Sequence, residues 1–398
     1  VSADQDLDQL RASVRAWVEA NFPASLRDAR EQERFFHSMP VYPAGPDWDL
    51  WKARLVEQRW TTPGWPTEFG GGGYDPVQSG TIAMALVEAG AFNPVAGNGT
   101  TMLGPTLLEF GTREQQERHV PPIVRGEILW CQGFSEPNAG SDLASLATRA
   151  VDDGDDLIVN GQKIWTSDAH HAHWCFCLVR TDPGHKHAGI SFLLIDMASA
   201  GITIRPIRTI VGLSHFCEVF FNDVRVPKQN LVGQPGDGWT VAKRLLQFER
   251  DPTLRPRRQF VGEARLLNEV ARDYIGCDAD GRLSDRALRD RIVRYMINAE
   301  ALRLLQTRMV DDKATGSGAN DGVSVVKNLR AAIQQGREEL LLEIMGHRGL
   351  GEAGEGFAEV ELETTRAFLW NKAMTIFSGS TEIQNNIIAQ RVLHMPRA

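Results

Sequence analysis

The hydrophobic period of this chain changes twice, and that change limits its folds more than any single motif. From Trp130 onward the apolar residues fall in short β-branched or aromatic runs: Leu157 to Val159, Lys163 to Trp165, Trp174 to Arg180, Ile190 to Asp196 and Glu218 to Val226. Turn residues divide them, the signature of an antiparallel β unit, and Asn160-Gly161 between two runs predicts a hairpin turn. On both sides the spacing is helical. Leu7, Leu10, Val14, Trp17 and Val18 follow the capping candidates Ser2 and Asp4 and stop at Pro23, and Thr81 to Glu88 and Arg113 to Val120 repeat the pattern. After Pro227 and the turn from Gly233 to Gly238, helical spacing returns. Val325, Val326, Leu329, Ile333, Leu340 and Ile344 share one face, followed by Phe368 to Phe377 and by Ile383, Ile387 and Leu393.

The order helices, strands, helices predicts an α+β multidomain fold. An N-terminal α-helical domain occupies residues 1–129, a central antiparallel β domain 130–240 and a C-terminal helical bundle 241–398. With 42% apolar and 24% charged residues the composition is that of a globular chain. Forty-three basic against 51 acidic residues give a net charge of −8, which argues against nucleic acid as a general partner. Apolar runs such as Trp174 to Val179 are far shorter than the ~20 residues a membrane helix needs, so no membrane span is expected. The acidic start lacks a basic and apolar leader pattern. The five cysteines are odd in number, and Cys175 and Cys177 read as small apolar fillers of a strand. A reducing, cytoplasmic setting is the expectation.

Three motifs invite chemistry and then lose it on context. Gly349-Leu-Gly-Glu-Ala-Gly354 has the dinucleotide spacing but follows a helical pattern and lies among Glu343, Glu352 and Glu355, so it reads as a helix stop. The tetraglycine Gly70 to Gly73 lacks the Gly-Lys-Ser/Thr of a phosphate loop and reads as a tight turn. His170, His171 and His173 crowd beside Asp168, but no Cys pair or second His motif supports a metal, and in an extended segment the rings would point to different faces. No metal site is expected.

The stretch from Trp130 to Asp142 differs in kind. Gln132, Ser135, Asn138, Gly140 and Ser141 offer hydroxyls and backbone amides suited to a polar cofactor edge. Lys163 to Asp168 adds an indole and two hydroxyls at adjacent strand positions, able to cover and bond a planar heterocycle. With SEPNAGSD from Ser135, NGQKIWTSDA from Asn160, VFFNDVRVPKQNLVG from Val219, FER at Phe248 to Arg250 and FSGSTEIQ from Phe377, the chain resembles the acyl-CoA dehydrogenase family of flavoproteins over nearly its whole length. The wording WCQGFSEP and GSDLASL is most similar to the pimeloyl-CoA dehydrogenase large-subunit branch.

The resemblance implies FAD between the β unit and the C-terminal helices. It places Gln132, Phe134, Ser135 and Ser141 along the flavin, Trp165 and Thr166 beside the ring, and Ser167 near flavin N5. Ser380 and Glu382 fall near the adenine half, and Glu343 and Gly346 in a turn that meets the cofactor of a neighbouring subunit. Gly379, Arg250 and Ser141 correspond to acyl-CoA contacts. Many members carry a catalytic glutamate where this chain has Ser378; another branch places it before the arginine of the helix after the β unit, which here is Glu249. The implied reaction introduces a 2,3-double bond into an acyl-CoA thioester. Glu249 takes the α-proton, a β-hydride passes to flavin N5, and an electron-transfer partner receives the electrons. A homotetramer, or a heteromer with a related subunit, is the implied assembly. Two other readings stay open: a redox-silent partner subunit of a heteromeric dehydrogenase, favoured by Glu343 and by the unrecognisable Arg-x-x-Phe-Gly segment around Tyr274 to Arg282, and a flavin oxidase or monooxygenase on the same fold.

Overall fold

The computed structural model describes residues 3–27, 45–95, 97–250, 267–314 and 322–396. It divides into two compact units, Val1–Arg258 and Gln259–Ala398.

The first unit opens with helices α1 (Ala3–Asn21), α2 (Pro46–Glu57), α3 (Pro76–Glu88), α4 (Gly104–Phe110) and α5 (Arg113–Val124). Asp75 and Thr112 cap α3 and α5, each answered by a glutamine at the third helical position that bonds back to the cap residue's N–H. Asp4, read as a cap, lies within α1 instead, and Ser2 is outside the described residues. Val14, Val18, Trp51, Leu55, Ile82 and Ala85 are fully buried in one cluster, and the Trp51 indole donates to Phe92 O at 2.8 Å. Burial of each such large side chain contributes about 1.5–3 kcal/mol. The tetraglycine is a tight turn, as read: a Cβ on Gly71 would stand 2.4 Å from Trp65 O.

Eight strands follow: β1 (Trp130–Gly133), β2 (Arg149–Asp153), β3 (Asp156–Ser167), β4 (Trp174–Arg180), β5 (Ile190–Asp196), β6 (Ile202–Ile207), β7 (Phe216–Pro227) and β8 (Leu231–Val232). Their order is β6-β7-β3-β2-β4-β5-β8, with β1 on β4. The sheet is antiparallel except that β1 and a single β2 pair, Arg149 with Arg180, run parallel to β4. Strand β4 is buried on both faces, which is why it reads as a continuous apolar run. Cys175, Cys177 and Val179 join Val159, Cys217, Val219 and Val224 of β3 and β7 in one cluster. Phe176 and Leu178 join the helical residues Leu107, Val120 and Ile123 in another. That second cluster also takes Val241, Ala242 and Leu245 of α6 (Gly238–Arg250), a helix the sequence reading assigns to the C-terminal bundle.

The hairpin expected at Asn160-Gly161 does not occur there. The β2–β3 turn closes earlier in the chain, between Asp153 and Asp156, with Gly154 at φ 66°. Asn160 and Gly161 lie inside β3. Glycine is required for a different reason: a Cβ at Gly161 would stand 2.6 Å from Thr148 Cα, so the missing side chain admits a neighbouring backbone. Asn160 meanwhile exchanges two hydrogen bonds with Asp223, at 2.9 and 3.0 Å.

The second unit contains α7 (Leu267–Tyr274), α8 (Arg286–Ala314), α9 (Gly322–Met345), α10 (Glu359–Asn371) and α11 (Thr381–Ile387). Its core gathers Leu267, Val270, Leu288, Ile292, Leu340, Leu341 and Ile344. The apolar face predicted for α9 is buried in its C-terminal half, whereas Leu329 is exposed. Among the described residues no helix is long and apolar enough to cross a membrane. All five cysteines are free; Cys131, Cys175, Cys177 and Cys217 are buried and Cys277 is exposed.

Candidate functional site

In the first unit the candidate site is built by a defect in strand pairing. Between the pairs Lys163–Val219 and Thr166–Cys217, β3 carries one residue more than β7, a β-bulge. A second irregularity between Val159 and Gly161 has the opposite sense, the extra residue lying on β7, where Asp223 sits at φ 51°. Strict alternation would put Lys163, Trp165 and Ser167 on one face. The bulge breaks it. Lys163 stays fully buried, while Trp165, at φ 59°, is turned out and is 55% exposed. A tryptophan held in the left-handed region is a strained residue of the kind that collects at ligand sites. Beside it Thr166 is buried, and its Oγ1 has no hydrogen-bond partner among the described residues. An exposed indole next to an unsatisfied buried hydroxyl, with the half-buried Ser167 after it, fits the edge of a planar heterocycle that presents hydrogen-bonding groups.

The segment Gln132 to Ser141 divides by position. Gln132 is half-buried in β1 opposite Phe176, Ser135 is half-buried, and Ser141 is exposed. Phe134 departs from the expectation: its ring is buried edge-on to Phe176 and Phe192, centroids 5.9 and 6.2 Å away, so it is a core side chain. The cause is alternation after β1, which turns this residue toward the apolar cluster.

Sequence reasoning missed Glu136 and Lys163. Lys163 Nζ donates to Glu136 Oε1 at 2.7 Å, with both side chains withdrawn from solvent. Burial raises the Glu136 pKa, but the Lys163 charge and hydrogen bonds from Lys163, Thr148 and Ala147 outweigh it and hold the carboxyl below its ordinary value. A charged residue at an inward strand position was the legible signal.

Glu249 lies half-buried near the end of α6; the side chain of Arg250, beside it, is outside the described residues. Among the described residues no group of three His, Cys, Asp or Glu side chains converges as a metal ion would need. The rings of His170 and His171 nevertheless lie 3.9 Å apart, not on opposite faces, because the segment is a turn in which His171 N and Ala172 N both bond to Asp168 O. His170 Nδ1 contacts Cys217 Sγ at 3.1 Å, and His173 Nδ1 accepts from Leu129 N at 3.0 Å.

In the second unit, Ser378 and Gly379 form a left-handed turn, φ 54° and 85°, pinned by Gln384 Nε2 donating to Ser378 O at 2.9 Å. Ser380 caps α11, accepting from Ile383 N. Glu382 is held below its ordinary pKa by its own backbone N–H and then by the Ser380 hydroxyl. Glu343 is paired with Arg291 at 2.6 Å. Gly346, at φ 56°, closes α9. The dinucleotide-like glycines fall in the short turn Gly346–Leu350 and beyond it, with Gly349 packed on Leu342, which is the helix stop that context indicated.

Three family models match successive parts of the chain: acyl-CoA dehydrogenase N-terminal domain over residues 4–127, middle domain over 131–224 and C-terminal domain over 236–393. The chain is 39% identical over 402 residues to a protein named acyl-CoA dehydrogenase IpdE1 from Mycobacterium tuberculosis, covering 99% of each. Among solved structures it is similar to the ChsE4–ChsE5 complex from Mycobacterium tuberculosis, with a TM-score of 0.78 and 29% identity over 100% of both chains. It is likewise similar to the Tcur3481–Tcur3483 steroid ACAD, with a TM-score of 0.77 and 29% identity over 99% of this chain and 98% of that one.

Proposed function

The chain belongs to the acyl-CoA dehydrogenase family of FAD-dependent oxidoreductases, and from that membership we propose that it binds FAD and introduces a 2,3-double bond into an acyl-CoA with Glu249 as the base. The observation that carries the flavin assignment is the bulge that turns Trp165 outward beside the unsatisfied Thr166 hydroxyl. FAD, when bound, supplies the hydride acceptor. Trp165 would cover the ring, and Ser167 and the amides of the Gln132 to Ser141 segment would hold its polar edge; Ser380 and Glu382 are given to the adenine half by the family resemblance alone.

The α-hydrogen of a thioester is a weak acid, so its removal needs both a base and donors on the carbonyl oxygen, where charge develops. Glu249 is the carboxylate for the first task. Ser378 has no carboxylate, but its backbone N–H survives the replacement of a glutamate, and the family resemblance gives it the second task. The family resemblance alone gives Gly379, Ser141 and Arg250 to the acyl-CoA.

Outwardly placed apolar residues of the second unit, Leu350 at 80%, Ile376 at 71% and Leu393 at 63% exposure, support an assembled protein. The paired names of the two solved relatives favour a heteromer with a related subunit over a homotetramer. Cytoplasmic placement and transfer of electrons to a separate carrier belong to the same reading. The steroid in the name of one relative puts thioesters with fused rings among the substrates to try.

An anaerobic panel of straight, branched and ring-bearing acyl-CoAs, followed by flavin absorbance, tests cofactor and reaction together. Bleaching by at least one substrate is expected. Yellow protein that no thioester bleaches, or colourless protein that takes up no FAD, would transfer the assignment to the redox-silent partner subunit, the reading that Glu343 and the unrecognisable segment around Tyr274 to Arg282 favour.

A further inference from the structure

Lys163 is fully shielded from solvent in the middle of a strand, a place lysine almost never occupies unless paired. Its ammonium donates to Glu136 Oε1 at 2.7 Å and to Phe134 O at 3.2 Å. The carboxylate of Glu136 also accepts from Ala147 N at 2.6 Å and Thr148 N at 2.9 Å. One ion pair thus joins three segments: strand β3, the loop after β1 and the stretch entering β2. A backbone bond from Ile164 N to Ser135 O, 2.9 Å, runs alongside.

Stability alone is a poor reason for such a pair. Desolvating two charges costs about as much as their attraction returns, and neutral residues of similar volume often serve as well or better. What a neutral core does not provide is direction. A carboxylate that accepts an ammonium and two amides fixes all three in angle as well as distance. The segments fixed in this way carry both halves of the proposed flavin site, Gln132 to Ser141 on one and Trp165 to Ser167 on the other.

We infer that Lys163 and Glu136 are positioning residues that set both halves of the flavin site before the cofactor arrives. The inference rests on the flavin reading above. Both side chains are buried, so they act through the segments they hold. Without them, binding has to order the loop and the indole, and affinity falls by that cost.

The test uses apo-protein, FAD titration and amide hydrogen exchange. The double variant Lys163→Met with Glu136→Gln removes both charges together and approximately keeps their volume. It is expected to unfold near the wild-type temperature, to bind FAD about tenfold more weakly or worse, and to hold it with a less resolved absorbance band. In wild-type apo-protein the amides of Ala147, Thr148 and Ile164 are expected to exchange as slowly without FAD as with it, a readout that stands even if the variant fails to fold. A folded double variant with unchanged FAD affinity and spectrum overturns the inference, as do amides that exchange fast until FAD is added. Wild-type protein that binds no FAD overturns the flavin reading and the inference with it, and is told apart because no variant is involved.

Discussion

Trp165 meets Phe216 edge-on, with ring centroids 5.8 Å apart and planes at 90°, from a backbone at φ 59°. Contact and strain oppose each other here. An edge-to-face aromatic pair contributes about 0.5–1.5 kcal/mol beyond its burial, and a left-handed non-glycine residue costs about 1–2 kcal/mol. Trp165→Ala loses the contact and keeps the strain; Trp165→Gly loses both. The glycine variant is expected to be the more stable of the two by about 1 kcal/mol, the reverse of the usual order in a strand. Both bind flavin more weakly. Urea midpoints of the apo-proteins decide the order, and an alanine variant that outlasts the glycine one would mean the backbone is not held left-handed in solution.

The base assignment is tested by Glu249→Gln, which keeps shape and one acceptor oxygen but loses proton affinity. Flavin reduction by an accepted acyl-CoA is expected to fall ~10²-fold or more while FAD stays bound. Ser378→Ala changes little, because only its backbone N–H is used. Single-turnover kinetics under nitrogen measure both, and near wild-type reduction in Glu249→Gln would remove that residue from the mechanism.

The pair Arg291–Glu343 is half exposed on both sides, so its own contribution to stability is small, about 0–1 kcal/mol. Its importance is electrostatic. Arg291 offsets a carboxylate at the position where the resemblance places a cofactor-binding turn. Arg291→Ala is expected to weaken FAD binding severalfold, and Glu343→Gln in that background to restore it, with thermal stability nearly constant. Equal affinity in all three proteins would take Glu343 out of the cofactor site.

His119 is buried between Trp130 and Trp174, ring centroids 5.2 and 4.8 Å away, and burial, then the charge of Arg118, lower its pKa to about 4. His215 is lowered to about 4 by burial and then by His170. The unfolded chain takes up these protons near pH 6.5 and the native state only near pH 4. Stability is therefore full above pH 6.5 and lost as the pH falls toward 4, by on the order of 3 kcal/mol for a group shifted this far. His119→Phe should flatten the urea midpoint between pH 6.5 and 4.5; an unchanged slope would mean that His119 titrates normally.

The architecture was legible because it depends on local periodicity: runs such as Trp174 to Arg180 and the spacing of Val14 and Val18 name their own secondary structure. The site was legible only in part. Trp165 and Ser167 could be named from their chemistry, but the bulge that exposes the indole depends on how β3 registers with β7, some fifty residues later. Asn160-Gly161 was misread for the same reason, since the glycine answers the approach of Thr148 rather than a turn. Phe134 sits within a polar motif yet belongs to the core, and only the fold separates the two roles. Lys163 was readable in principle, as a charge at an inward position, although its partner was not.

The distribution of cysteines gives the chain a built-in stoichiometric reporter. With four thiols sealed in the β unit and Cys277 alone at the surface, an alkylating reagent should add one label to the native chain and five to the unfolded one. The mass difference between those products counts folded molecules directly, without reference to flavin, substrate or partner. A fluorophore attached under native conditions would therefore sit on the second unit.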